Sequence, residues 1–423
     1  MKYQNSRDFA KFMDQNDPIR SYRKKFYFPK HKGGEQAVYL CGNSLGLQPE
    51  NAEKAIIEYL ESWRVLGVKG HFEGNRPYTT YHEELGEKMA RLVGALNEEV
   101  VVMNSLTVNL HLMMVSFYRP SSKRYKILIE KDAFPSDQYA VKSQLEFHGF
   151  EVEEGLLELE PRPGETLLRT QDILDFIDKN GDEIALIMLG GINYYTGQAY
   201  QMKEICKKGK EKGCMVGFDL AHAAGNLDVR LHEWNVDFAV WCTYKYLNAG
   251  PGSIAACFVH QKHLHSQDLK RFTGWWGHDK NTRFLMDDTF VPIPTAEGWQ
   301  MSNACIVSMA SLRASLELFD EVGIGKLVKK SHLLTGFLEF LIGCLDQKEI
   351  EIITPAQADQ RGAQLSIRVG QRGRALFERI SELGVIADWR EPDVIRIAPA
   401  PMYNSFEDVY DFVHLLQKAM DPH

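Results

Sequence analysis

The chain has 423 residues, 44% apolar and 25% charged, with 49 basic against 57 acidic side chains and a net charge of −8. This balance suits a globular protein with a large core and argues against a nucleic-acid or anionic-membrane surface. No run approaches the ~18 apolar residues of a membrane span, the charged start "MKYQNSRDFAKF" lacks the apolar core of a secretion signal, and seven scattered cysteines without paired spacing fit a reducing compartment. The expected location is the cytoplasm.

In chain order, "NSLTVNLHLMM" (Asn104–Met114) predicts an apolar helix entered through Ser105 and Thr107. "YKILIE" (Tyr125–Glu130) predicts a buried strand, "DQYAVKSQLEFHG" a helix ending at Gly149, and "GFEVEEGLLEL" a strand region. "TQDILDFIDKNGDEIALIMLGG" predicts a helix, a buried strand and a glycine turn. "QMKEICKKGKEKG" is an amphipathic helix, "CMVGFDL" a buried strand, and "VDFAVWCTYKYL" and "GSIAACFVH" are two more apolar runs. Apolar strands alternating with helices predict an α/β fold with a mostly parallel sheet covered on both faces. Ligands of such sheets bind beyond the carboxyl ends of the strands. From about residue 308 long amphipathic helices take over, followed by short strands and helices. Residues 51–307 are therefore read as a large α/β domain and 308–423 as a smaller α+β domain, with the segment 1–50 packing against the latter.

The stretch "DLAHAAGN" (Asp219–Asn226) places a carboxylate and an imidazole three residues apart at the end of an apolar strand. Taken alone it reads as a helix N-cap followed by small residues. "GPGSIA" (Gly250–Ala255) fits G-x-G-x-x-A, but an apolar strand follows it where a dinucleotide site needs a helix. No P-loop occurs, and the spacings among Asp219, His222, Cys206, Cys214 and His232 match no zinc pattern, so no metal is expected.

Lys245 lies in an aromatic, apolar run between Tyr244 and Tyr246, an unusual place for an ammonium. It is either a lysine that snorkels to the surface or one that forms a Schiff base. The second reading makes pyridoxal 5'-phosphate the cofactor to test, and Asp219 the carboxylate for its ring nitrogen. The phosphate needs hydroxyls and helix N-termini. Ser105 and Thr107 supply them, as does "DAFPSDQYA" (Asp132–Ala140), where Phe134 can stack on a ring and Pro135, Ser136 and Asp137 open the next helix.

With these residues in view, the chain resembles the kynureninase family over nearly its whole length. The resemblance rests on "YLCGNSLGLQP", "LTVNLHL", "FPSDQYA", "YYTGQ", "GFDLAHAAGN", "WCTYKYLNAGPG", "GWWGH", "MSN" and "IRIAPAPMYNSFEDVY". It implies an aspartate-aminotransferase-like fold of type I, with a seven-stranded sheet, and hydrolysis of kynurenine or 3-hydroxykynurenine to an anthranilate and alanine. It also implies a homodimer with the site at the interface. Lys245 would hold the cofactor covalently and shuttle a proton. Tyr244 would bind phosphate or move a proton, and is the candidate donor to Cβ. Asp219 would pair with the ring nitrogen beside His222, Phe134 would stack, and Leu106 and Thr107 would hold phosphate. Trp275 and Asn303 would complete the site, partly across the dimer. Arg396 would clamp the substrate carboxylate, and Ser44, His71 and Asn303 would surround the aryl ring. Polar groups there lean toward the 3-hydroxylated substrate. Gly190 departs from the pattern, standing where some members carry a hydroxyl residue, so that contact falls to backbone or water. The rival within the same fold is a cysteine desulfurase, which needs a mobile catalytic cysteine, with Cys41, Cys242 and Cys305 nearest the motifs.

Overall fold

Seven short segments pair into one sheet: β2 (Val100–Val102), β3 (Lys126–Glu130), β4 (Leu156–Leu159), β5 (Ile184–Gly190), β6 (Met215–Asp219), β7 (Phe238–Trp241) and β8 (Ala256–Val259). They follow a two-residue strand, β1 (Val38–Tyr39). The order is β2-β8-β7-β6-β5-β3-β4, with β8 antiparallel to both neighbours and the other pairs parallel. The computed structural model describes residues 2–266, 268–345, 349–370 and 373–421.

The strands are apolar on both faces because both faces are covered. Alternation is visible within β5: Ile187 and Leu189 enter one core, Leu186 and Met188 the other. The first core takes α3 (Tyr81–Val93), α7 (Thr170–Asn180), α8 (Met202–Glu211) and α9 (Ile306–Val322); α2 (Asn51–Leu66) packs on α9. The second takes α4 (Leu106–Phe117) and α5 (Pro135–Phe147). A single helical turn, α6 (Val152–Gly155), precedes β4 where the sequence reads as strand throughout.

A second, antiparallel sheet has the order β12-β13-β10-β9, from β9 (Glu351–Ile352), β10 (Leu365–Arg368), β12 (Asp388–Arg390) and β13 (Val394–Ile397). Its core is shared with α10 (Ile324–Gly343), α11 (Gly373–Glu382), α12 (Phe406–Met420) and α1 (Arg7–Gln15). The N-terminal segment is stitched to this unit. β1 pairs in parallel with β11 (Val385–Ile386), and the Asp14 carboxylate accepts the first N–H groups of α12, from Phe406 and Glu407 at 2.8 and 3.0 Å. A carboxylate at a helix start satisfies donors that the helix itself cannot.

The carboxyl ends of β3, β5, β6 and β7 lie along one edge of the large sheet. Glu130, Gly190 and Asp219 end the first three, and the chain beyond β7 carries Tyr244 and Lys245. The capped-helix expectation for "DLAHAAGN" fails: residues 221–226 form successive turns. Asp219 Oδ1 accepts from the Ala221 N–H at 2.6 Å, which closes an Asx turn rather than starting a helix.

Candidate active site

One cavity collects Leu106, Thr107, Glu130, Phe134, Ser136, Asp137, Gly190, Ile192, Tyr194, Asp219, Ala221, His222, Tyr244 and Lys245. Two helices start at its rim. Neither Ser105 before α4 nor Phe134 before α5 caps its helix with a side chain, and Leu106, Thr107, Ser136 and Asp137 of the two first turns line the cavity. Thr107 Oγ1 and Ser136 Oγ, one from each helix, lie 2.8 Å apart. Converging helix N-termini and hydroxyls form an anion site. Pro135 takes the first position of α5, where its missing N–H costs nothing.

Deeper in, Lys245 Nζ lies 3.0 Å from His222 Nε2 and 5.7 Å from the centre of the Phe134 ring. Burial, with the charges of Lys245, Arg396 and Arg390, holds His222 well below the usual imidazole range. It is neutral and accepts from the lysine, while its buried Nδ1 has no protein partner. Burial pushes Asp219 above the ordinary carboxylate range, opposed by a hydrogen bond from Asp137 and by the Lys245 charge. Asp137 is pushed up further, by burial and by Asp219. Asp137 therefore keeps the proton and donates it to Asp219, and Asp137 Oδ1 is left without a partner.

The lysine loop is supported from the N-terminal segment. The Gly46 N–H donates to the Tyr244 carbonyl at 2.8 Å. A Cβ on residue 46 would lie 2.8 Å from Asn248 Cα and closer still to the Lys245 carbonyl oxygen, so only glycine fits. Gly46→Ala is expected to destabilise the protein by roughly 2–3 kcal/mol, the cost of overpacking, and to lower cofactor occupancy. Denaturant unfolding and cofactor absorbance check this.

Arg396 is 1% exposed and donates Nη2 to Asp388 at 2.5 Å and Nη1 to the Tyr194 carbonyl at 2.8 Å. Two of its five N–H donors are used, and the buried Nε has no partner. Ser44 sits in the loop before Gly46, with its N–H on the Cys41 carbonyl at 3.0 Å. His71 and Asn303 share a different surface pocket with Tyr59, Trp63 and Cys305. Trp275 is half exposed, donating its indole N–H to the Arg283 carbonyl at 3.0 Å, edge-on to Trp276 and Phe284. Of the residues expected at the site, Ser44, His71, Pro135, Trp275, Asn303 and Arg396 are not among those lining the Lys245 cavity of one chain; Arg396 reaches it through the Tyr194 carbonyl.

Glu130 and Tyr194 belong to the cavity but were not singled out from the sequence. Glu130 had a signal, a carboxylate ending an apolar strand as Asp219 does. The desulfurase rival finds no reactive thiol in the cavity. Burial pushes Cys41 up to about 12 and raises Cys242, and the exposed Cys305 lines the other pocket.

The residues fit pyridoxal phosphate: two uncapped helix starts with paired hydroxyls for the phosphate, a strand-end carboxylate for the ring nitrogen, an amine for the aldehyde, and a buried imidazole with a spare nitrogen. Fold and cavity define a pyridoxal-phosphate enzyme of fold type I. Solved structures share the fold at 15–17% identity. A cysteine desulfurase from Thermococcus onnurineus matches with a TM-score of 0.73 over 99% of both chains. A cystine C–S lyase in complex with cysteine persulfide matches with a TM-score of 0.76 over 91% of this chain and 98% of that one. Sequence relatives are far nearer. A kynureninase of Myxococcus xanthus is 57% identical over 98% of this chain and 97% of its own. Kynureninases of Koribacter versatilis and Christiangramia forsetii are 55% and 51% identical, over 97% and 99% of this chain and of their own. The kynureninase C-terminal domain is matched over residues 327–416. The chain belongs to the kynureninase family, pyridoxal-phosphate-dependent hydrolases of carbon–carbon bonds. No helix among the described residues is long and apolar enough to cross a membrane.

Proposed function

We propose that the chain hydrolyses the Cβ–Cγ bond of kynurenine and of 3-hydroxykynurenine, releasing an anthranilate and alanine, as a cytoplasmic homodimer in tryptophan catabolism that feeds NAD biosynthesis. The observation that carries this is the cavity in which Lys245 meets neutral His222 beside the Asp219–Asp137 pair. Bound pyridoxal phosphate supplies the electron sink for charge developing at the substrate α-carbon. Leu106, Thr107 and Ser136 would hold its phosphate, Phe134 would lie against its ring, and Asp219 would pair with its ring nitrogen. The Lys245 amine is the base that takes the proton at Cα. Water adds to the substrate γ-carbonyl; as the Cβ–Cγ bond breaks, Cγ leaves as the anthranilate carboxylic acid and Tyr244 gives a proton to Cβ, its hydroxyl held above the usual phenol range by burial, which keeps it in the donor form. Arg396, on β13 of the second sheet, binds the substrate carboxylate through Nε–H and a remaining Nη–H, while α9, read from the sequence as part of the 308–423 unit, packs instead in the core of the large sheet.

The homodimer reading rests on an exposed apolar surface around His71 and Trp275. Trp63, Val65, Val68, Phe72, Leu285 and Met286 are each more than half exposed. A patch of this kind marks an interface. A second copy covering it would bring the partner's counterparts of His71, Trp275 and Asn303 to the Lys245 cavity. His71→Ala and Asn303→Ala are expected to lower kcat/KM about tenfold more on 3-hydroxykynurenine than on kynurenine, because a hydroxyl left unpaired carries a penalty of that order. Steady-state rates on both substrates decide it, together with the solution mass. Equal losses remove the 3-hydroxyl role, and an active monomer removes the shared site.

A further inference from the structure

Glu130 ends β3 as Asp219 ends β6, and its carboxyl lines the same cavity as Lys245. The residue is 4% exposed. The Gly190 N–H donates to its two oxygens at 3.3 and 3.2 Å. A Cβ on residue 190 would lie 3.0 Å from Glu130 Oε1, so glycine at this position gives the carboxyl its room.

The groups around Glu130 come from four directions. Gly190 of β5 is paired in register with Asp219 of β6. Asp137 reaches in from α5, and Tyr200, whose hydroxyl is pushed far up by burial and by Glu130, stands beyond β5. Lys245 offsets Asp219 and Asp137. What opposes the upward shift of Glu130 is two backbone N–H groups, its own and that of Gly190. Burial first, and the Asp219 charge with it, push Glu130 up to about 7. Three carboxyls thus share one cavity with a single lysine.

We propose that Glu130 is a positioning residue that must carry its proton for the cavity to retain pyridoxal phosphate. Ionised, it sets a second anion beside Asp219, in a space that must also take a phosphate dianion and offers one lysine. As the neutral acid it keeps its hold on the Gly190 N–H and leaves Asp219 the only anion facing the ring nitrogen. This rests on the cofactor occupying the Lys245 cavity.

The test is the dissociation constant of pyridoxal phosphate for the cofactor-free protein, by equilibrium dialysis between pH 6.5 and 8.5. A required proton costs up to about tenfold in affinity per pH unit above the group's pKa. Wild type is therefore expected to weaken about tenfold more across the range than Glu130→Gln, in which nothing titrates at this position. Glu130→Met is the second neutral variant. It loses the bond to Gly190 and binds more weakly at every pH, yet shares the shallower profile, while Glu130→Asp keeps the steep one. A purely structural role would lower affinity without changing the slope. Parallel profiles for wild type and the neutral variants overturn the proposal. No saturable binding at pH 6.5 by wild type overturns the cavity assignment and the proposal with it.

Discussion

Lys245→Ala is expected to lose the near-ultraviolet and visible absorption of covalently held cofactor and to lower kcat by about 10⁴-fold, roughly 5 kcal/mol of barrier. Two roles vanish together: the amine that forms the Schiff base, and the base that takes the proton at Cα. No other residue lining the cavity can supply either. Lys245 is the only amine there among the described residues, and His222, the nearest base at 3.0 Å, is buried, neutral and held low. Lys245→Arg keeps the positive charge but not the nucleophile, since guanidinium does not deprotonate in proteins. It is expected to be as inactive as the alanine variant, which separates charge from chemistry. Borohydride reduction followed by peptide mass mapping should place the cofactor on Lys245 in wild type and nowhere in either variant. Turnover within tenfold of wild type by Lys245→Ala would falsify the assignment.

The sheet was legible because its strands are continuous apolar runs, which only burial on both faces permits. "IALIMLG" and "MVGFD" became β5 and β6 within a residue or two of their apolar limits. Asp219 and Lys245 stood out for the same reason, charges set in apolar surroundings. What the sequence hid is tertiary. Nothing local says that Asp388 and the Tyr194 carbonyl hold Arg396, because those partners lie 8 and 202 residues away. Nothing local says that Asp137 leans on Asp219, because α5 and β6 meet only across the sheet edge. The helix expected after Asp219 failed because the Asp side chain satisfies the Ala221 N–H in a turn and the chain then continues as turns. Glu130 carried the same strand-end signature as Asp219 but lacked a motif to draw attention to it. His71, Trp275 and Asn303 lie on a face that one chain leaves open.

Asp219→Asn is expected to lower kcat by about 10³-fold and to weaken cofactor binding by about 10–100-fold, the size of one charge-assisted hydrogen bond. An amide keeps the shape and can still accept from the Ala221 N–H, but it cannot hold a proton on the ring nitrogen, so the cofactor loses its strength as an electron sink. Stability should move the other way. Burial raises Asp219 above its unfolded value, so its contribution to folding is present below the unfolded pKa and is lost as pH rises through the folded pKa. At pH 8 the buried carboxylate is therefore a net cost to the cofactor-free protein, only partly offset by Asp137 and Lys245. The asparagine variant should melt higher than wild type at pH 8 without cofactor, and the gap should close as pH falls toward 4. Thermal unfolding of the cofactor-free proteins across that range checks the sign, and reconstitution with steady-state rates checks the chemistry. A higher melting temperature together with lost turnover is the signature of a site that gives up stability to keep a charge where the reaction needs it. Asp219→Ala would lose both the charge and the Asx turn, and should fall below asparagine in both measurements.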